Sequence, residues 1–209
     1  MPNHVYNTLL ICGDEKDINE FRGFLLDEQG DVDFNNIIPM PEIMKGVEPS
    51  CGIVEAVIKY GKWNVNMRDM GPEDKGMFEK CCEIYHETGY AYWYDWSCAK
   101  WGTKWNAYDC EVEGDNFITW NTAWSGVPDL MKMASKEFPN VTLVYEYADE
   151  DIGSNVGTFL IKGGDILAKD QPLGGSVQAY KLSLRLMPEY RDCYKLVGGV
   201  YVYEDEDEE

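Results

Sequence analysis

The apolar pattern of the 209-residue chain predicts an α+β protein. Strand-like and helix-like segments follow in the order strand, helix, insertion, strand, strand, helix, strand, strand, which places two βαβ halves on one antiparallel sheet. With 44% hydrophobic and 13% aromatic residues, the chain can form a packed core. The predicted fold is a ferredoxin-like antiparallel sheet with helices on one face, a helical insertion after the first βα unit and an extra C-terminal β segment.

The first predicted strand and helix lie at the N-terminal end of the sequence. Residues 4–11 are apolar and rich in β-forming side chains, and Gly13 follows them. Asp14 then begins a helix in which apolar residues recur at helical spacing until Gly30. Residues 31–49 include Pro39 and Pro41. Because proline cannot occupy the interior of a regular helix, we expect a loop there.

Two further helices are predicted inside the insertion. Ser50 is a suitable first residue for a short apolar helix that ends at Gly61. Pro72 suits the first turn of the next helix, which ends at Gly89. Together with the preceding loop, these helices form an insertion at about residues 31–89.

The second half of the chain predicts four strands and one helix. The strand-like segments are residues 105–112, 116–124, 141–147 and 155–161. Glu113-Gly114-Asp115 separates the first two as a hairpin turn. A helix follows Ser125 and ends after Phe138. Residues 1–168 are therefore expected to form the ferredoxin-like domain.

The C-terminal part predicts a separate β extension over residues 169–203. Apolar and polar side chains alternate from Tyr180 to Leu186, a pattern typical of a half-buried strand. Residues 194–203 add a second β segment, interrupted by two glycines. Residues 204–209 are all acidic, so we expect a disordered acidic tail.

The net charge restricts the expected partners. The chain has 18 Lys and Arg against 38 Asp and Glu, a formal charge of −20. This balance argues against direct binding to nucleic acid or to an anionic membrane, because both require basic surfaces. The sequence shows neither a long apolar run nor an export signal, so we expect a cytoplasmic protein and no membrane partner.

The cysteines indicate reduced thiols rather than a metal site. Seven cysteines occur without a CxxC pair, and only two histidines are present. Zinc sites need closely spaced cysteine and histidine pairs. We therefore predict no metal and no cofactor.

Four short blocks carry a resemblance to a known family. They are Asn7 in the first strand, residues 37–41 (IIPMP), residues 101–106 (WGTKWN) and residues 122–125 (TAWS) followed by Pro128. In this order they resemble the YubB ferredoxin-like domain family, the Api-like proteins of phages and conjugative plasmids. The resemblance covers residues 1–165. It implies the ferredoxin-like fold and a mobile-element origin, and it assigns no catalytic residue.

An aromatic segment at residues 89–106 contains four of the seven tryptophans. One interpretation is structural: Trp101, Trp105 and Trp124 fill the gap between sheet and helices. The other is an exposed platform for a partner, in which Lys104 contacts tryptophan rings. The candidate binding residues on the second interpretation are Trp93, Trp96, Trp101, Lys104, Trp105 and Trp124.

Catalytic and cation-binding patterns are weaker. The acidic turn at residues 149–151 departs from the known calcium loops and is better explained as a solvated turn. Asp109 and Glu111 fit a solvent-facing strand as well as a carboxylate pair. Nothing in the local sequence activates Cys51 or Cys98 toward His86. The sequence therefore predicts no catalytic residue, and an enzyme is the minority interpretation.

Three functions are left open by the sequence. The first is a non-catalytic binding or accessory protein of phage or plasmid type, acting through protein–protein contacts with an unknown partner. The second is an acidic mimic of nucleic acid that occupies a host DNA-binding protein, since dense carboxylates can imitate phosphates electrostatically. The third is an enzyme with an unrecognised site.

Overall fold

The computed structural model of the protein describes residues 2–61 and 71–204. The chain divides into two compact units. One comprises the chain up to Ile37 and from Gly102 onward, and the other is Ile38–Trp101.

A six-stranded antiparallel sheet is the centre of the first unit. Its strands are β1 (His4–Cys12), β2 (Tyr108–Glu113), β3 (Phe117–Ala123), β4 (Thr142–Asp149), β5 (Val156–Lys162) and β6 (Asp165–Asp170). The strand order is β2-β3-β1-β4-β5-β6, and every neighbouring pair is antiparallel. The first four strands have the split βαβ arrangement of a ferredoxin-like fold, which confirms the predicted fold class.

Two helices cover one face of this sheet, as predicted. Helix α1 (Glu15–Leu25) and helix α5 (Pro128–Glu137) meet where the Phe21 ring packs edge-on against Phe138, with centroids 5.3 Å apart. The backbone N–H of Val127, at the start of α5, donates to the hydroxyl of Tyr145 in β4. Tyr145 therefore points toward α5, and since side chains alternate along a strand, Glu146 points to the opposite face.

The predicted strand over Tyr180–Leu186 is wrong, because these residues belong to helix α6 (Val177–Leu186). The Ser176 side chain caps this helix by accepting the backbone N–H of Ala179. Buried Ala179, Leu182 and Ser183 recur at helical spacing and pack toward β4 and β5. The segment resembled a strand because Ser183 was counted among the polar, solvent-facing residues that alternate with the leucines, whereas Ser183 is buried. Arg185 bonds Glu146, so α6 lies on the sheet face opposite α5.

The C-terminal end contains a two-stranded hairpin, β7 (Tyr194–Val197) paired with β8 (Val200–Tyr203). The β segment predicted over residues 194–203 is thus confirmed. β6 had no predicted counterpart. Of the predicted acidic tail only Glu204 is described, and it forms an ion pair with Lys195; the rest of the tail lies outside the described residues.

The second unit is helical in its described part. It contains α2 (Cys51–Tyr60), α3 (Pro72–Thr88) and α4 (Trp93–Lys100). Helices α2 and α3 pack together, and their buried side chains are Ile53, Val57, Phe78, Cys81 and Ile84. Helix α4 falls in the aromatic segment, for which no helix was predicted. In residues 2–61 and 71–204, no helix has the length and apolarity that a bilayer crossing requires.

One close contact in the first unit requires glycine. The ring of Tyr147 lies against both Gly126 and Gly157, and a β-carbon on Gly157 would be 2.8 Å from the Tyr147 ring. A β-carbon on Gly126 would overlap the same ring. The loop before α5 can therefore approach β4 only because position 126 has no side chain.

We predict that Gly126→Ala lowers the free energy of unfolding by about 2–3 kcal/mol, because the Tyr147 ring must move within a packed region. The control is Gly23→Ala in α1, where an added β-carbon has no neighbour within 4 Å. This control should stabilise the protein by about 0.5–1 kcal/mol, since alanine is the better helix former. Urea denaturation of both variants tests the contrast, and equal effects would show that the Gly126 contact is not tight.

Candidate functional site

A buried hydrogen-bond network joins the three central strands. The Tyr145 hydroxyl donates to Asn7 Oδ1 at 2.5 Å and accepts the Val127 backbone N–H at 2.6 Å. Asn7 Nδ2 in turn donates to Thr122 Oγ1 at 2.9 Å. Thr122 Oγ1 donates to the Ser125 carbonyl at 2.7 Å. The network thus connects β1, β3 and β4 with the loop that follows β3.

Burial governs the chemistry of this network. Asn7, Thr122 and Tyr145 are fully buried. Burial raises the pKa of the Tyr145 phenol well above its ordinary value. The hydroxyl therefore stays protonated near pH 7 and keeps its donor role in the network.

Two of the four sequence blocks, residues 101–106 and residues 122–125, lie against each other at the end of β3. Thr103 Oγ1 donates to the Ala123 carbonyl at 2.8 Å and accepts the Ala123 backbone N–H at 3.1 Å. Ser125 Oγ donates to the Gly102 carbonyl at 2.9 Å. Thr103 acts here as an additional strand partner, because its hydroxyl satisfies both backbone groups of one residue. These bonds fix the loop of residues 102–106 beside Trp124.

Asn106 fixes the other end of the same loop. Its Oδ1 accepts the backbone N–H of Phe34 at 2.8 Å, and its Nδ2 donates to Asp33 Oδ1 at 2.7 Å. The loop is thereby held at both ends by side-chain hydrogen bonds. The residues between these ends, Lys104 and Trp105, are positioned without being buried themselves.

Trp124 has an unusual backbone conformation. Its φ is 71°, in the left-handed region that bulky residues rarely adopt. Its N–H donates to the Asn3 carbonyl at 2.9 Å, and its carbonyl accepts from Asn155 Nδ2 at 2.9 Å. Despite this fixed backbone, the side chain is 41% exposed. The surrounding structure thus maintains a strained backbone at a residue whose ring faces solvent, a combination that is typical of functional sites.

Lys104, Trp105, Tyr108 and Trp124 form what we call the aromatic surface. The Lys104 Nζ lies 4.5 Å from the ring centroid of Trp105 and 5.3 Å from that of Trp124. Trp105 is 37% exposed and packs edge-on against Tyr108, with centroids 6.2 Å apart. A shallow depression of about 350 Å³ beside them is lined by Trp105, Asn106, Ala107 and Tyr108.

Tyr108 is held at the rim of this surface. Its hydroxyl oxygen lies 2.7 Å from Nδ1 of His4. Burial, with added repulsion from Asp109 and Glu150, raises the pKa of Tyr108 to about 12. The phenol is therefore neutral near pH 7, and it offers a hydrogen-bonding group rather than a charge.

The structure separates the six candidate binding residues. Lys104, Trp105 and Trp124 lie together in the first unit, whereas Trp93, Trp96 and Trp101 belong to the second unit. The prediction that Trp105 and Trp124 fill the core is wrong, because both are partly exposed.

The tryptophans of the second unit pack against, or donate hydrogen bonds to, other residues of that unit. Trp96 and Trp101 are each 4% exposed and pack edge-on, with centroids 5.2 Å apart. The Trp101 indole N–H donates to the Ile38 carbonyl at 2.9 Å, and that of Trp93 donates to Glu48 Oε1 at 3.0 Å. Burial of Trp96 and Trp101 removes them from any exposed platform.

Two residues that meet at the rim of the aromatic surface were not predicted to do so from the sequence. His4 and Tyr108 were treated only as strand residues, and nothing in their spacing indicated that they would meet. Their contact depends on β3, which pairs with β1 on one side and with β2 on the other and so brings together residues 104 positions apart in the sequence.

In the acidic turn at residues 149–151, both carboxylate oxygens of Asp149 accept hydrogen bonds from groups of the protein itself. Asp149 Oδ1 accepts from Asn3 Nδ2 and from the Asp151 backbone N–H, and its Oδ2 accepts from Asn155 Nδ2. Within the described ranges, His, Cys, Asp and Glu side chains form no group of three or more that could hold a metal ion.

Comparison with known proteins identifies the part of the chain that carries this site. Residues 100–185 match the family model described as the ferredoxin-like domain in Api92-like protein. This segment is similar to the ferredoxin-like domain of Api92-like proteins. The match confirms the predicted resemblance to the Api-like family. The Api92-like segment includes the loop of residues 102–106 and all four residues of the aromatic surface.

One solved structure is similar over most of the chain. The crystal structure of the protein Api92 from Yersinia pseudotuberculosis aligns with 82% of this chain and 98% of its own, with 9% sequence identity and a TM-score of 0.40. No curated protein matches the sequence.

We predict that Trp124→Gly is more stable than Trp124→Ala by about 1 kcal/mol. Both variants lose the ring, but only glycine adopts the left-handed backbone of this Api92-like loop without strain. Thermal or urea unfolding of the pair measures the difference. If the alanine variant is equally stable, the positive φ is not a constraint at this position.

Proposed function

We propose that this protein is a non-catalytic binding protein that recognises a basic protein partner through the aromatic surface. The observation that carries the proposal is that the partly exposed rings of Trp105 and Trp124 both contact Lys104. Hydrogen bonds hold the two ends of the loop that carries Trp105, and they fix the backbone of Trp124. Tryptophan is enriched among the residues that dominate protein–protein affinity. A surface that is rigid before binding also loses less entropy when a partner binds.

Electrostatics favours a basic partner. The chain has a net charge of −20, and Asp109 and Glu150 act on Tyr108 at the rim of the aromatic surface. A positively charged partner would be attracted over a distance before contact. Direct binding of nucleic acid is disfavoured by the same charge, because one lysine between two tryptophans neutralises too few phosphates.

The depression at the aromatic surface supports binding rather than catalysis. Its lining is Trp105, Asn106, Ala107 and Tyr108, of which only Tyr108 is titratable. Because the pKa of Tyr108 is raised to about 12, it does not supply a phenolate nucleophile or base near neutral pH.

The proposal retains the phage or plasmid origin and the cytoplasmic location expected from the sequence.

Selection of a peptide library on the immobilised protein tests this function. We expect the selected peptides to carry net positive charge and at least one large apolar side chain. Their affinities, measured by fluorescence anisotropy, should fall at least about tenfold in the double variant Trp105→Ala/Trp124→Gly. Glycine at position 124 removes the ring while suiting the backbone.

Leu173→Ala provides the matched control, since Leu173 is an apolar side chain that is 84% exposed in a different loop. It should leave the affinities unchanged. Selection of acidic peptides would contradict the proposal. Affinity that survives loss of both rings and depends only on salt would instead favour the acidic mimic of nucleic acid.

A further inference from the structure

A basic pocket lies on the opposite face of the sheet from α5. It has a volume of about 270 Å³ and is formed by α6, the 3-10 helix Pro188–Cys193 and the β7–β8 hairpin. Its lining residues are Lys181, Leu184, Arg185, Arg191, Tyr194 and Tyr201. The pocket thus contains two of the four arginines of a chain whose net charge is −20. The pocket therefore concentrates positively charged side chains in a protein whose total charge is strongly negative.

Arg185 is held in place by a carboxylate on the sheet. Its two terminal nitrogens donate to the two oxygens of Glu146 at 2.9 and 2.6 Å. Burial alone would raise the pKa of Glu146, but hydrogen bonds from Arg185 and Thr158 hold it below its ordinary value. A guanidinium has five N–H donors, so this pairing leaves further donors available to a ligand.

Arg191 and Lys181 supply the uncompensated charge. The Arg191 Nε–H donates to the Leu184 carbonyl at 2.8 Å, which leaves both terminal amino groups available. Lys181 precedes Arg185 by four residues in α6, so both lie on one side of that helix. Among residues 2–61 and 71–204, neither Lys181 nor Arg191 has a carboxylate within ion-pair distance.

Tyrosine rings provide an apolar wall next to these cations. Tyr201 stacks on Tyr180 with centroids 5.0 Å apart, and Tyr194 packs against the same ring at 5.5 Å. Burial, with repulsion from neighbouring groups that include Asp151, raises the pKa of Tyr194. The Tyr194 phenol therefore stays protonated near pH 7, and the two tyrosines offer ring surface and hydroxyl groups to a ligand.

We propose that the basic pocket binds a small organic phosphate monoester. The phosphate group would lie between Lys181, Arg185 and Arg191, and the organic group would pack against Tyr194 and Tyr201. Arginine binds phosphate through paired N–H donors, and a phosphate near pH 7 carries almost two charges and three strong acceptor oxygens. A single carboxylate would leave more of this positive charge unpaired. The pocket shares no residue with the aromatic surface, so this proposal is independent of the proposed function.

Titration with phenyl phosphate and with inorganic phosphate, followed by two-dimensional NMR of the full chain, tests the proposal. We expect saturable shifts in α6 and in the β7–β8 hairpin, with phenyl phosphate binding about fivefold more tightly because its ring contacts the tyrosines. The double variant Lys181→Gln/Arg191→Gln should weaken binding at least about tenfold.

The matched control is Lys162→Gln/Lys169→Gln in β5 and β6, which removes the same charge outside the pocket lining and outside the β7–β8 hairpin. It should change affinity by no more than about twofold, since screened surface charges act weakly at a distance. The double variant also removes the hydrogen bond from Arg191 to the Leu184 carbonyl and could disturb the local fold. The single variant Lys181→Gln keeps that bond, and it should weaken binding without altering stability. Absence of saturation, or equal losses in the two double variants, would overturn the proposal.

Discussion

The hydrogen bond between Tyr145 and Asn7 is the interaction on which the rest of the first unit depends. It crosses from β4 to β1 inside the packed layer beneath α5, where an unpaired polar group costs about 1–3 kcal/mol. The same two side chains also satisfy Val127 and Thr122, so the start of α5 and the end of β3 are fixed by one network. A network of this kind specifies a single arrangement, because partial loss leaves buried groups unpaired.

The sequence blocks that carry the family resemblance are explained largely by backbone positioning. Thr103 pairs with β3, and Asn106 holds the loop of residues 102–106 to the segment after α1. Around these bonds, Lys104 and Trp105 lie on a loop held at both ends, Trp124 has a fixed backbone, and all three side chains are partly exposed. The proposed function therefore rests on the residues that the scaffold presents, rather than on those that build it. The basic pocket, on the sheet face opposite α5, gathers positive charge in a chain whose net charge is −20.

The sequence predicted the sheet better than it predicted the surface. β-forming apolar residues and turn residues indicated β1 and the β2–β3 hairpin because these signals are local. Helix α6 was mistaken for a strand because the capping role of Ser176 was not recognised and Ser183, which is buried, was counted as a solvent-facing polar residue. Burial of individual tryptophans was not predictable: Trp101 and Trp105 stand four residues apart in similar surroundings, yet one is buried and the other is 37% exposed. Their difference depends on tertiary contacts such as the bond from Trp101 to Ile38.

A double-mutant cycle between Asn7 and Tyr145 tests the central claim most directly. Asn7→Leu and Tyr145→Phe each remove one partner at nearly constant volume, and the free energy of unfolding is measured for both single variants and for the double variant. If the network holds the strands together, the second substitution costs little after the first, and the coupling energy is at least about 1.5 kcal/mol. Additive losses, with a coupling below about 0.5 kcal/mol, would show that the two side chains stabilise the fold independently and would contradict this account.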